Sequence, residues 1–222
     1  MEQIVDVARE HDIFILSDEV YRPLFHSISP MDKDFPPSII SLAYHKAIAT
    51  GSLSKAYALA GIRTGWIASR SPEVIESCAN ARDYTTISVS QLDDQVASFA
   101  LDPSCVHNLL GRNIRLAKTN LDILNDFIEQ HRWLCEWVKP IAGTTAFVKF
   151  SREGRAVNDV EFCKLLQEKT GVMFCPGSRC FGEEFRGYVR MGYVCETEVL
   201  SDGLAVLNEF LRDEYRSVPL AS

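Results

Sequence analysis

This chain lacks most of the features that would announce a function at sight. No apolar run approaches the ~20 residues that a membrane-crossing helix requires, so no membrane partner is expected. Nor is there a basic tract. The 23 Lys and Arg are scattered among 30 Asp and Glu, the net charge is -7, and nothing favours nucleic acid. No C-x-x-C pair occurs, and seven cysteines at irregular spacing suit neither a disulfide framework nor a zinc site. They read as reduced, mostly core residues of a cytoplasmic protein, with Cys175 or Cys180 as the candidate reactive thiols. The His residues His26, His45, His107 and His131 have no ligand spacing and read as structural, and no metal is expected. A G-x-x-x-x-G-K-[ST] loop is missing, which excludes a P-loop. The opening "MEQIVDVAREHD" has charges every few residues and no apolar stretch, so it does not read as a secretory leader. Internal repeats and low-complexity tracts are absent too.

What is present is a globular composition, 46% hydrophobic and 24% charged. Residues 2–10 have Ile4, Val5 and Ala8 on one helical side, and "DIFIL" (12–16) reads as a buried strand, apolar on both faces. Four prolines make 22–38 a loop. "KAIATGS" and "GWIAS" (65–69) read as strands, followed by serine-capped helices at about 72–81 and 90–101. A long amphipathic helix is expected over 104–130, with Leu109, Asn113, Ala117, Leu121 and Leu124 along its stripe. Beyond it, "WLCEWVKP" and "TTAFVKF" read as strands joined by a turn at 140–143. A helix near 157–169, strands at 171–174 and in "GYVRMGYV", and a closing helix at 197–213 complete the pattern. Trp133 and Trp137 are expected to pack the core of this second part. Strands alternating with helices in the first hundred residues, and an α+β mixture in the last hundred, indicate an α/β architecture with two parts.

Two stretches carry candidate chemistry. In "LSDEVYRPLF", Asp18 ends an apolar strand and Tyr21 follows three residues later. The carboxyl ends of strands in open α/β sheets are where ligands bind. A carboxylate there can pair with a protonated ring nitrogen, and a phenol nearby can donate to a ring oxygen. In "TGSLSKAYALAGIRTGW", Lys55 sits among small residues, where burial would make its amine a usable nucleophile. Ser52 and Ser54 could hold phosphate oxygens beside backbone N–H groups, and Arg63 offers a fork for the same phosphate. Helix capping, packing and a solvated loop would also account for each residue taken singly. Together they are the parts needed to hold pyridoxal phosphate.

The motifs "SDEVY", "GSLSKAYALAGIRTGW", "PGSRCFG" and "YVRMGY", in that order, resemble the class I/II aminotransferases of pyridoxal-phosphate fold type I over essentially the whole chain. The resemblance implies a pyridoxal 5'-phosphate enzyme that moves an amino group from an amino acid to a 2-oxo acid. It implies that Lys55 carries the cofactor as an internal aldimine and later moves the proton at the substrate Cα. Asp18 would face the pyridine nitrogen, Tyr21 the phenolic oxygen, and Ser52, Ser54 and Arg63 the phosphate. Arg190 would clamp the substrate α-carboxylate, and a homodimer would complete the site. The implied fold is an incomplete large domain over 1–103, a mainly parallel sheet with flanking helices, and then a bridging helix and small α+β domain over 104–222.

Family members are roughly twice as long. Their N-terminal arm, first sheet strands, glycine-rich phosphate loop and ring-stacking aromatic are not among these 222 residues. An exposed apolar sheet edge and an uncovered cofactor face are therefore expected. Two other outcomes stay open at this level: a carbon–sulfur lyase, elimination or cyclopropane-forming relative on the same scaffold, and a catalytically silent remnant.

Overall fold

A computed structural model describes residues 1–221. They divide into two compact units, Met1–Ile114 and Arg115–Ser222, with the boundary falling inside one long helix.

The first unit begins with α1 (Glu2–Glu10). β1 (Ile15–Asp18), β2 (Ala47–Ser52) and β3 (Gly65–Ser69) form a three-stranded sheet in that order. β1 and β2 are parallel, with Ile15 opposite Ala47 and Asp18 opposite Thr50, while β3 runs antiparallel to β2. This corrects the expected mainly parallel sheet: it is mixed, and only one pair is parallel. The connection between β2 and β3 contains one short 3-10 turn and no crossover helix, so the chain returns antiparallel.

The core of this unit is small. Val5 and Ala8 of α1 pack with Ile39, Tyr44, Ala47 and Ala49, and Ile15 leans on the cluster. Tyr44 Oη donates to the carbonyls of Ala8 at 3.0 Å and Ile13 at 2.7 Å, tying α1 to the start of β1. Ile4 is exposed, not buried with Val5 and Ala8 as its spacing suggested. β1 is also not buried on both faces: Leu16 is 70% exposed and Phe14 is exposed beside it. On β3, the Trp66 indole lies across Gly51, whose missing Cβ leaves room for the ring. Next come α2 (Pro72–Arg82) and α3 (Gln91–Leu101), capped by Ser71 accepting from Val74 N and Ser90 accepting from Asp93 N. α4 (Pro103–Gln130) then crosses the unit boundary.

The second unit holds an antiparallel sheet. β4 (Cys135–Trp137), β5 (Thr145–Arg152), β7 (Cys175–Pro176) and β8 (Tyr188–Gly192) are ordered β4-β5-β8-β7, with short β6 (Arg155–Ala156) pairing β5. α5 (Asp159–Thr170), short α6 (Gly177–Phe181) and α7 (Thr197–Asp213) surround it. Leu200, Leu204, Leu207 and Leu211 of α7 are buried, and Phe150, Phe162, Leu166, Val189 and Met191 fill the centre. The strand expected at 171–174 lies instead at Cys175–Pro176, because Gly171 ends α5 in the left-handed region at φ 79° and 172–174 only lead into the sheet. Trp133 is 75% exposed and does not pack the core, while Trp137 is half-buried. No helix of the described residues is long and apolar enough to cross a membrane.

Candidate functional site

Six of the seven candidate residues lie in the first unit, at the carboxyl ends of β1 and β2. Asp18 is the last residue of β1 and Ser52 the last of β2, and these ends are adjacent because the strands are parallel and in register. Tyr21 sits in the turn directly after β1. The loop after β2 carries Ser54 and Lys55, and Lys55 Nζ lies 5.9 Å from the centre of the Tyr21 ring. The loop then folds back. Thr64 O accepts from Leu53 N at 3.1 Å and from Ser52 Oγ at 3.2 Å, which brings Arg63 back to the serines.

Hydroxyls and amides concentrate at this point. Ser52 Oγ lies 2.8 Å from Ser54 Oγ and accepts from Ser54 N at 3.0 Å. Arg63 takes the left-handed conformation at φ 50° and donates from Nη1 to Ala60 O at 2.8 Å, which leaves its Nη2 and Nε edge available. Asp18 Oδ1 accepts from Thr50 Oγ1 at 3.2 Å and from Val20 N at 3.2 Å. Those two donors orient the carboxylate. Burial pushes the Tyr57 phenol, two residues beyond Lys55, upward, so it stays protonated.

Lys55 is exposed, which corrects the expectation that it would be buried among its small neighbours. Ala56 and Tyr57 turn inward instead, and the lysine side chain projects from the loop they anchor. Among the described residues no carboxylate forms an ion pair with Lys55, Arg63 or Arg190. These three cations keep their capacity for an external anion.

Arg190 belongs to the second unit. The alternation of β8 buries Val189 and Met191 and exposes Arg190 between them. Its Nη2 donates to Cys175 Sγ at 3.2 Å on the facing strand, and its guanidinium lies 5.7 Å from the Phe181 ring centre.

Several contributors escaped sequence reading. Thr50 is one, since only strand register puts its hydroxyl on Asp18. Asn113, 5% exposed, donates to Ala56 O at 2.8 Å and so holds the backbone beside Lys55. Glu19 accepts from Ile39 N at 2.8 Å and anchors the far end of the proline-rich loop. Buried Asp159 accepts from Ser178 N and Oγ, both at 2.8 Å, and from Gly187 N at 3.1 Å, which fixes the segment leading into β8. The one available signal was Asn113, a polar residue on an otherwise apolar helical stripe.

The donor set fits pyridoxal 5'-phosphate. An oriented carboxylate suits a ring N–H, a phenol beside a lysine suits a ring oxygen next to an aldehyde, and two hydroxyls with an amide and a guanidinium suit a phosphate.

The aminotransferase class I and II family profile matches residues 1–207. Capreomycidine synthase from Streptomyces vinaceus is 28% identical over 210 residues, covering 94% of this chain and 50% of that protein. Aspartate aminotransferase from Pyrococcus abyssi is 26% identical over 220 residues, covering 96% of this chain and 53% of its own length. Among solved structures, a PLP-dependent aminotransferase from Streptococcus suis 89-1591 superposes with a TM-score of 0.82 at 41% identity, covering 95% of this chain and 52% of that one. The chain spans about half the length of the relatives it matches, and that half is the C-terminal one.

Proposed function

The chain belongs to the class I and II aminotransferase family, and from that premise we propose that it is the C-terminal half of a pyridoxal-phosphate-dependent aminotransferase. In this reading it acts on an amino acid and a 2-oxo acid. Residues 1–103 are its share of the cofactor domain and 104–222 the bridging helix and small domain. The observation that carries the reading is the gathering of Asp18, Tyr21, Ser52, Ser54, Lys55 and Arg63 at neighbouring strand ends.

Pyridoxal 5'-phosphate, when bound, supplies an aldehyde for amine capture and a ring that accepts electrons from the substrate Cα. The residues of this chain do the rest. Asp18 would accept the ring N–H and keep that nitrogen protonated, with its oxygen already aimed by Thr50 and Val20. Tyr21 would donate to the ring's phenolic oxygen. Ser52, Ser54 and Arg63 would hold the phosphate and so fix the ring's depth. The Lys55 amine would attach the cofactor and, once displaced by substrate, move the proton at Cα. Arg190 would take the substrate carboxylate through a two-pronged pair, favoured because among the described residues no acidic side chain forms an ion pair with it. The homodimer implied by the resemblance belongs to the same proposal.

The test is chemical. The protein mixed with pyridoxal 5'-phosphate and reduced with borohydride should carry a pyridoxyl group on Lys55 by peptide mapping, and Lys55→Ala should carry none. Labelling spread evenly over surface lysines would sink the assignment. A second reading, a synthase on the same scaffold that does not transfer an amino group, is favoured by the likeness to a protein named as a synthase, capreomycidine synthase. Appearance of the 2-oxo acid from an amino acid substrate separates the two.

A further inference from the structure

The second unit carries a cavity that the candidate site does not use. It holds about 960 Å³ and opens to solvent between the end of α4, the β5–β6 turn and the end of α7. Small-molecule sites commonly span roughly 300–1,000 Å³. Arg152, one of its lining residues, stands five residues along β5 from Phe147, the residue opposite Arg190. At ~3.4 Å per residue the cavity therefore lies about 17 Å along the strand from Arg190.

An apolar surface and a cationic one meet there. Leu134 and Leu211 are buried and Leu220 is half-buried, which makes an apolar floor, while the Trp133 indole stands 75% exposed at the rim. An indole left in water forgoes the burial that such rings ordinarily gain, and its face can stack on a flat ring. Arg152 Nη1 donates to the carbonyls of Tyr215 and Arg216 at 3.0 Å and of Val218 at 2.9 Å. These bonds hold the guanidinium in place, and among the described residues its Nε and Nη2 form none. Arg216 is exposed and forms no ion pair among the described residues. Arg212 is already engaged, because its Nε and Nη2 both donate to Asp213 at 2.7 Å.

Charge decides which ligand suits this lining. Glu153 is the one carboxylate among the described lining residues, held next to Arg152 by a turn in which Glu153 and Gly154 take φ of 55° and 74°. Three guanidiniums thus stand against Glu153 and the Asp213 that Arg212 engages, a surplus of one positive charge in a chain of net charge -7. A polyanion would exceed that surplus, and an uncharged ring would leave it unanswered. A flat ring with one carboxylate matches both surfaces, since a guanidinium fork takes a carboxylate through two parallel bonds.

We propose that this cavity binds a small aromatic carboxylate, with its ring on Trp133 and the leucine floor and its carboxylate on Arg216 and Arg152. The site is built by the second unit alone. It shares no residue with the candidate cofactor site and does not include Arg190, so it stands apart from the cofactor chemistry proposed above.

The probe is 3-phenylpropionate, which has neither an amino nor an oxo group and cannot enter amino transfer. Added to the nitrogen-15-labelled full chain, it should move the indole N–H signal that Trp133→Ala lacks, and move it further than those of Trp66 and Trp137. The dissociation constant should be about 1 mM or tighter by calorimetry. Trp133→Ala and Arg216→Gln should each weaken binding by about tenfold, and Arg216→Lys should recover part of the loss. Both side chains are exposed, so the thermal midpoint should not change. The uncharged 3-phenylpropanamide should bind about tenfold more weakly, and Arg190→Gln should leave the affinity for 3-phenylpropionate as it was. The proposal is overturned by absence of saturable binding, by indifference to either Trp133→Ala or Arg216→Gln, or by equal affinity for the amide. Binding lost in Arg190→Gln also overturns it, because the carboxylate would then sit at the candidate functional site, and that result leaves the functional reading intact.

Discussion

Asn113 and Ala56 are 57 positions apart in sequence and joined by a 2.8 Å hydrogen bond, from a buried side-chain amide to the carbonyl next to Lys55. A helix thereby sets the height of a loop. Asn113→Leu fills the space but leaves the Ala56 carbonyl without its donor, at a cost of about 1–3 kcal/mol. The urea midpoint should fall accordingly, and pyridoxyl labelling of Lys55 should fall with it. An unchanged midpoint would show that the carbonyl finds another donor.

Among the described residues Arg190 forms no ion pair with a carboxylate, so replacing it should spare the fold. Arg190→Lys keeps the charge and loses the planar fork, which should weaken binding of a 2-oxo acid to the protein by about 1.5–3 kcal/mol, roughly ten- to a hundredfold. Titration calorimetry reads this directly. Equal affinity in the two proteins would move the carboxylate site elsewhere.

Asp159 is 2% exposed and accepts three hydrogen bonds that join α5 to α6 and to Gly187. Asp159→Ala strands two backbone N–H groups and should cost at least about 3 kcal/mol, read as a lower thermal midpoint. Asp159→Asn, which keeps one acceptor oxygen, should recover part of the loss.

Alkali should unfold the second unit. Burial pushes the thiols of Cys135 and Cys163 from 9.0 up to about 12, and it also raises the Tyr193 and Tyr215 phenols above their usual 10.0. Each group holds its proton more tightly folded than unfolded. Their stabilisation is complete below pH 9.0 and drains away as pH rises towards 12. Denaturation midpoints taken across that window should decline, and Cys163→Ala should flatten the slope.

Local pattern carried the regular elements. β3 at 65–69 and α7 at 197–213 stand where alternation and leucine spacing put them, because each is set by neighbours a few residues away. Burial was harder to read. "DIFIL" is apolar on both sides, yet Phe14 and Leu16 meet solvent, since apolarity says that a strand wants cover and not whether its own chain supplies it. Lys55 and Trp133 also meet solvent, Lys55 because Ala56 and Tyr57 take the inward positions of its loop. The candidate residues themselves were legible as motifs. Their supports, Thr50 under Asp18, Asn113 under Ala56 and Cys175 beside Arg190, arise from register and long-range packing and leave no mark at fixed spacing.

The indole of Trp66 occupying the place of a Gly51 side chain makes two positions fifteen residues apart behave as one. Neither can vary freely: any larger residue at 51 evicts the ring, and a small residue at 66 bares the glycine backbone. Compatible drift at this spot therefore requires a paired exchange, with bulk handed from one strand to its neighbour.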